Sequence, residues 1–152
     1  RGINLNTLIK DGLTMSLDGY CIGEIVGSEA WEFIKAGYTD HKIYGTIHSN
    51  SSIDTLERLI MLIGNSTKLN GAQLKHIVAN SIDIIIYMKD FRVMEILQVV
   101  KFDDQISDYR TVGLYHFEGN GASKDKSSGV FVKDGQVEGD LKNDFLLKGF
   151  IE

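Results

Sequence analysis

Two short apolar runs, each followed by an amphipathic stretch, dominate the hydrophobic pattern of the first half of the chain. Residues 20–25 and 43–47 are short, apolar and rich in β-branched or aromatic side chains, which predicts two strands. After each run, apolar residues recur at helical spacing, over about 29–37 and then 53–63. This alternation of strands with helices is typical of an α/β protein with a parallel sheet.

Polar residues mark the expected starts of four helices. Each predicted helix follows a side chain that can accept a hydrogen bond from an N–H of the first turn. Gln73 stands three residues after one of these caps and predicts a capping box, and Gly64 is the expected residue just after the third helix. The candidate caps are Asn4 or Asn6, Ser28, Ser51 or Ser52, and Asn70.

The second half of the chain predicts mainly strands. Residues 82–88 are predominantly apolar, and the length of this run fits a strand that is buried on both faces. Residues 91–102 and 111–117 predict a β-hairpin, and Asp134-Gly135 predicts the turn of another. A polar, mobile loop is expected over 119–128, and a short helix over 141–148 that Gly149 ends.

Composition and charge narrow the function classes. The 152 residues are 43% apolar and 24% charged, which is ordinary for one globular domain or a large part of one. The net charge of −5 argues against a face that binds nucleic acid directly. Cys21 is the only cysteine and lies in an apolar run, so we interpret it as a buried, inert thiol in a cytosolic protein. No apolar run approaches the ~20 residues of a transmembrane helix, so any membrane connection is expected to go through a partner or through a segment absent from this chain.

An acid and an imidazole stand at the ends of the first two predicted strands. Glu24 lies near the carboxyl end of the first strand, and His48 lies just past the end of the second. Ligands of an open parallel sheet bind outside the carboxyl ends of its strands. The two side chains are therefore expected to face one ligand.

These residues and their spacing resemble the C-terminal ATPase domain of the type II and type IV secretion ATPases. The similarity begins with an apolar strand that ends in Gly-Glu, and six residues separate the two histidines that suit the family's histidine box. It extends through the 56–63 helix and covers roughly residues 5–118. The matching residues are Gly23-Glu24, Glu29-Ala30, His41, Thr46-Ile47-His48 and Ser81-Ile82-Asp83.

The resemblance implies an α/β fold, namely the C-terminal portion of a RecA-like P-loop NTPase domain. It implies a mainly parallel sheet flanked by helices, with a C-terminal β-hairpin and a short helix. About 1–118 would form the core of a single domain or fragment, and 119–152 a C-terminal extension. The implied protein is an ATPase subunit of a homo-oligomeric ring, expected to be a hexamer. It would lie in the cytoplasm, peripheral to the membrane, and power secretion, pilus assembly or conjugation with inner-membrane partners.

Site roles follow from the same resemblance. Glu24 would be the catalytic residue, and Gly23, Thr46, His48 and His41 would be nucleotide-binding residues. ATP and Mg²⁺ would be the cofactors, with no direct protein ligand to the metal and Mg²⁺ held through water at Glu24.

A phosphate-binding loop is missing from the sequence. The pattern Gly-x-x-x-x-Gly-Lys-Ser/Thr does not occur, and residues 119–125 resemble it only superficially. The chain begins Arg1-Gly2-Ile3, without methionine, and a helical pattern follows at once. We therefore expect the loop to lie upstream and this chain to be inactive alone.

Four positions depart from the family pattern. The family usually has arginine where this chain has Val26 and Thr14, glycine where it has Asp40, and proline where it has Leu17. Because a guanidinium that stabilises phosphate charge cannot be replaced by valine or threonine, the arginines are expected from the missing segment or a neighbouring subunit. Otherwise the protein is a weak or divergent ATPase.

Other interpretations of the same residues stay open. The chain could be a non-catalytic, degenerate ATPase-like module with a structural or docking role. Glu24, His41 and His48 could instead serve metal-dependent hydrolysis, or the two histidines could bind zinc. Each residue also has a structural alternative: Glu24 could be solvated, His48 could cap the turn over 49–52, and His41 could end the preceding helix. His76 and His116 have no motif context and are expected to be structural or exposed.

Overall fold

The computed structural model describes residues 3–120 and 128–151. Most of the predicted loop over 119–128 lies outside these residues, as do Arg1 and Gly2. Within them the chain alternates helices and strands in its first half and turns to strands in its second. The elements are α1 (Leu5–Gly12), β1 (Gly19–Ile22), α2 (Glu29–Tyr38), β2 (Lys42–Gly45), α3 (Ser52–Gly64), α4 (Gly71–Ala79), β3 (Ile84–Lys89), β4 (Arg92–Asp103), β5 (Asp108–Gly119), β6 (Gly129–Lys133) and α5 (Gly139–Leu147).

The strands form two sheets in the described part of the chain. β1 and β2 pair in parallel, with Gly19 opposite Lys42 and Ile22 opposite Gly45. The other four strands form an antiparallel sheet in the order β3-β4-β5-β6. The fold is therefore mixed α/β as predicted, but the expectation of a mainly parallel sheet is wrong for these residues.

β3 accounts for that difference. Its apolar run was expected to be buried on both faces, yet Ile86 is 55% exposed and β3 pairs only with β4 among the described residues. The turn at Asp90 and Phe91, both with positive φ, folds the chain directly back into an antiparallel hairpin. Apolar length alone does not distinguish a central parallel strand from an edge strand with one open face.

The hydrophobic core lies where the helices meet the sheets. Its members are the inward-facing residues of the predicted helical stripes and of the strands. Leu56, Leu59 and Ile63 of α3 are buried, as its periodicity predicts. Tyr20 and Ile22 of β1 also face the core, so the intervening Cys21 points outward and is exposed. The prediction of a buried thiol is wrong.

Most predicted helix caps are confirmed. Asn4 caps α1 and Ser51 caps α3, in each case by accepting an N–H of the first turn. Asn70 and Gln73 form the predicted capping box of α4. Ser28 precedes α2 but makes no capping hydrogen bond with its side chain. Gly64 is the last residue of α3 rather than the residue after it.

Asp40 occupies a position that favours glycine. The N–H of Asp40 donates to the carbonyl of Gly37 at 3.2 Å, and the N–H of His41 donates to the carbonyl of Ala36 at 3.1 Å. This pair of bonds is a Schellman motif, which needs a left-handed residue just beyond the helix. Asp40 has a φ of 68°. Glycine adopts this backbone conformation freely, whereas aspartate tolerates it at some cost.

The C-terminal part folds back onto the antiparallel sheet. The predicted β4–β5 hairpin is confirmed, and β6 pairs with β5. Asp134-Gly135 does not close a hairpin, because the N–H of Asp134 donates to Leu114 and its carboxylate contacts His116. The buried Gln98 side chain then exchanges two hydrogen bonds of 2.9 Å with the backbone of Glu138, which fixes the start of α5. The predicted closing helix is thus present.

Candidate active site

The carboxyl ends of β1 and β2 stay joined after both strands end. The N–H of Thr46 donates to the carbonyl of Ile22 at 3.3 Å, and the N–H of Ile25 donates to the carbonyl of Thr46 at 2.8 Å. The Thr46 hydroxyl also donates to the carbonyl of Gly23. Gly23 and Thr46 therefore hold the two segments beyond the strands side by side.

Glu24 and His48 project from these joined segments and contact each other. Oε1 of Glu24 lies 3.2 Å from Nε2 of His48. The Glu24 side chain is 49% exposed and the His48 side chain 87% exposed. Because an exposed pair of this kind contributes at most about 1 kcal/mol to folding, the contact is more informative about position than about stability. Both groups are open to a ligand at the end of the parallel pair.

Glu29 fixes the loop that carries Glu24 into α2. Its carboxylate accepts from the N–H of Val26 at 2.6 Å and from the N–H of Gly27 at 2.7 Å. Burial raises the pKa of this carboxyl, but the backbone N–H groups of Val26 and Gly27 and its own N–H together lower it below the ordinary value. The sequence predicted Ser28 as the cap of α2 and did not predict this contact between Glu29 and the loop. An acidic residue at the first helical position was the available signal.

Removal of the Glu29 carboxylate is expected to destabilise the protein in a pH-dependent way. Because its folded pKa lies below the ordinary value of 4.5, its contribution is present above that value and is lost as the pH falls through the folded pKa. Glu29→Ala should cost about 1–3 kcal/mol near pH 7, which urea unfolding measures.

A second variant and a pH series are the controls for the urea unfolding of Glu29→Ala. Glu29→Gln keeps an acceptor oxygen without the charge, so its loss should be smaller than that of Glu29→Ala. The difference between the wild type and either variant should narrow from about pH 5 downward. A difference that stays constant down to about pH 3.5 would show that the carboxylate charge is not involved.

His41 lies at the other end of β2. Its ring makes an edge contact with Tyr20 at 5.5 Å between centroids, and its Nδ1 is 3.2 Å from the Thr39 hydroxyl. Extended backbone between His41 and His48 separates the two residues by on the order of 20 Å. The structure therefore brings Gly23, Glu24, Thr46 and His48 together and leaves His41 at the junction of α2 and β2.

The structure gives no support to the metal-site interpretations. Within 3–120 and 128–151, no group of three or more His, Cys, Asp or Glu side chains is arranged to hold a metal ion. His41 and His48 are too far apart to share one ion. A single exposed carboxylate such as Glu24 fits a Mg²⁺ ion that keeps most of its waters and binds mainly to phosphate oxygens.

The two positions that lack the family's arginines supply no positive charge. The Val26 side chain is exposed close to Glu24, and the Thr14 hydroxyl donates to the carbonyl of Asp11 at 2.7 Å. Neither position therefore offers a guanidinium at this end of the sheet.

Comparison with known proteins adds one finding. The family model described as "Type II/IV secretion system protein" matches residues 1–103 of the chain. That range includes both parallel strands, Glu24 and His48, and ends at the last residue of β4. No curated protein matches the chain significantly. In the part of the chain that the structure describes, no helix is long and apolar enough to cross a membrane.

Proposed function

The chain belongs to the type II/IV secretion system protein family, and on this premise we propose that it is part of an ATP-hydrolysing motor subunit. It would contribute the C-terminal portion of a RecA-like ATPase domain, with about 1–118 as its core and 119–152 as an extension. The motor would power type II or type IV secretion, pilus assembly or conjugative transfer. The observation that carries the proposal is the 3.2 Å contact between Glu24 and His48 across the ends of two parallel strands.

Glu24 is suited to act on the attacking water. Phosphoryl transfer needs a group that orients the nucleophile in line with the terminal phosphate, and an exposed carboxylate at a strand end can accept its hydrogen bond. Two contacts hold the Glu24 backbone in place. The Glu29 carboxylate accepts hydrogen bonds from the preceding loop, and the Thr46 hydroxyl donates to the carbonyl of Gly23. ATP would supply the phosphoryl group, and Mg²⁺, when bound, would offset its charge.

His48 is suited to contact the terminal phosphate. Its imidazole is almost fully exposed, and the same nitrogen that faces Glu24 can donate to a phosphate oxygen. Gly23 and Thr46 would form the frame of the nucleotide site. The nucleotide role of His41 stays a prediction, since its position separates it from this contact.

Because the site is exposed, other parts of the protein would have to enclose it. Electrostatic catalysis works best where water is excluded, whereas His48 is 87% exposed. The phosphate loop and its lysine would come from upstream of Arg1, and a neighbouring subunit of a ring, expected to be a hexamer, would close the site. The ring would lie in the cytoplasm and be attached to the membrane through inner-membrane components of the machine.

One rival function is favoured by a specific observation. Val26 and Thr14 replace two arginines of the family pattern, so the chain could be a degenerate module that docks without catalysis. The retained Glu24 and His48 count against it.

ATP turnover by two polypeptides tests the proposal. Purified residues 1–152 should hydrolyse no ATP above background and bind it weakly, because backbone N–H groups of a phosphate loop supply most of the triphosphate cradle. The full-length protein, meaning residues 1–152 together with the upstream segment that this proposal expects, should hydrolyse ATP. Steady turnover by residues 1–152 that Glu24→Gln abolishes would refute the upstream loop. A full-length protein that binds ATP without turnover would favour the docking module.

A further inference from the structure

The turn between β3 and β4 exposes a phenylalanine at a position that favours glycine. Asp90 and Phe91 form this two-residue turn with φ of 51° and 58°, and the second position of such a turn is usually glycine. The Phe91 side chain is 105% exposed. A bulky residue with positive φ costs free energy, and an aromatic ring in water gains nothing from burial. Strained residues of this kind cluster at functional sites.

An apolar pocket of about 330 Å³ lies at the other end of β4. Because an apolar cavity of about 150 Å³ already accommodates benzene, this pocket has room for a phenyl ring. Exposed polar side chains, among them His76 and Asp104, lie at its rim. Its apolar lining consists of Leu69, Ala72, Ile77 and Phe102.

The Phe91 ring and the pocket cannot meet within one chain. β4 begins at Arg92, next to the turn, and ends at Asp103, next to Phe102 of the pocket. An extended strand of its 12 residues spans on the order of 35 Å. The ring of one copy is therefore able to enter only the pocket of another copy.

Charge at the turn complements charge at the pocket. The turn carries two cations and one anion, whereas the pocket and its neighbours in the chain carry two anions and one cation. Opposite net charge orients two such surfaces toward each other, although a single charge at the rim contributes little to affinity. The residues are Lys89, Asp90 and Arg92 at the turn, and Lys68, Asp103 and Asp104 at the pocket.

We infer that Phe91 of one copy of the chain docks in this pocket of the next copy. The two surfaces are different parts of the same chain, so the contact is heterologous: it repeats from copy to copy and closes into a ring where the rotation between copies allows it. The closure into a ring rests on the proposed function. The contact itself needs neither ATP nor the candidate active site.

Photo-cross-linking in the full-length protein tests which surface the ring contacts. Phe91 is replaced by p-azidophenylalanine, which keeps the aromatic ring, and an isotope-labelled second copy identifies cross-links between copies by mass spectrometry. Cross-links should join position 91 to the 69–77 segment or to Phe102 of the other copy. The same probe at Phe150, which is 70% exposed, is the control and should give none there. Cross-links from turn to turn, or none between copies, would overturn the inference.

Two substitutions test the energetic role of the contact. Phe91→Gly removes the ring and suits the turn, because glycine adopts positive φ without cost. Ala72→Glu places a charge in the pocket at an exposed helical position. In the full-length protein, each should raise the dissociation constant of self-association, measured by analytical ultracentrifugation, by at least about tenfold.

Phe150→Ala is the matched control for the loss of an exposed aromatic ring, and its self-association should equal that of the wild type. Unchanged self-association in Phe91→Gly would overturn the contact. A loss in Phe91→Gly without a loss in Ala72→Glu would assign the ring to another surface and overturn the pocket.

ATP turnover of the wild-type protein separates this inference from the proposed function. Cross-links from position 91 to the pocket, in a protein without ATP turnover, would retain the contact and remove the ATPase. Turnover that depends on Glu24, in a protein without those cross-links, would retain the ATPase and remove the contact.

Discussion

Glu24→Gln in the full-length protein is expected to lower ATP turnover by roughly 10²-fold or more and to leave nucleotide binding near the wild-type level. Glutamine has the size of glutamate and can still contact His48. It cannot accept a proton from water or attract it as strongly, so the loss falls on the chemical step. Turnover and equilibrium binding of a fluorescent ATP analogue, measured on the same preparation, separate the two effects.

A matched control for this variant is Asp104→Asn. Asp104 lies in the exposed turn between β4 and β5, and its substitution removes the same charge far along the chain from the strand ends. Its turnover should equal that of the wild type. Unchanged turnover in Glu24→Gln itself would favour the docking module.

His48→Ala is expected to lower turnover by about tenfold to a hundredfold and to spare ADP affinity. A hydrogen bond to a charged group contributes roughly 1.5–3 kcal/mol, and ADP lacks the terminal phosphate that would accept it. The measurements are ATP turnover, ADP affinity and melting temperature of one preparation.

The structural alternative for His48 predicts a different result. If the ring capped the turn over 49–52, the variant would melt earlier and keep its rate per folded molecule. The structure already shows other groups in that role, since Ser51 caps α3 and the Ser49 hydroxyl contacts Thr55 at 2.6 Å.

His76→Ala is the control, because the His76 ring bonds Asn80 and packs on Phe102. That variant should lose stability and keep its rate. A destabilised His48→Ala protein with normal specific activity would contradict the phosphate contact.

Local signals in the sequence predicted most of the elements. The Asn70–Gln73 capping box, the helical stripe of α3 and the β4–β5 hairpin all depend on residues that are close in the chain. The parallel pairing of β1 and β2 also followed, because a helix lies between the two strands. These features need no information about distant contacts.

Features that depend on competition between partners were not predictable. Ser28 is a good cap by residue type, but its hydroxyl accepts from the Asn6 side chain at 2.7 Å, and the Glu29 carboxylate accepts from the loop N–H groups of Val26 and Gly27. Asp134-Gly135 is a good turn sequence, but His116 and Leu114 bind Asp134 and extend the chain instead. The direction of β3 depended on the positive φ of Phe91, which no sequence rule favours.

The candidate site shows the same division. Strand ends placed Glu24 and His48 at one edge of the sheet, and they are in contact. The spacing of the two histidines suggested a shared role, but a strand of extended backbone directs them to opposite ends. The motif that ends α2 explains the backbone conformation at Asp40. The sequence alone showed this residue only as a departure from the family pattern.

A double variant of the full-length protein tests most directly whether Glu24 and His48 act as one hydrolytic site. ATP turnover is measured for Glu24→Gln, His48→Ala and the combination of both. If the two residues serve the same step, the combined variant should be little slower than Glu24→Gln alone, because the losses of groups that act as a unit are not additive. If the losses multiply instead, to roughly 10³-fold or more, the two side chains act independently and the account of a single site is contradicted.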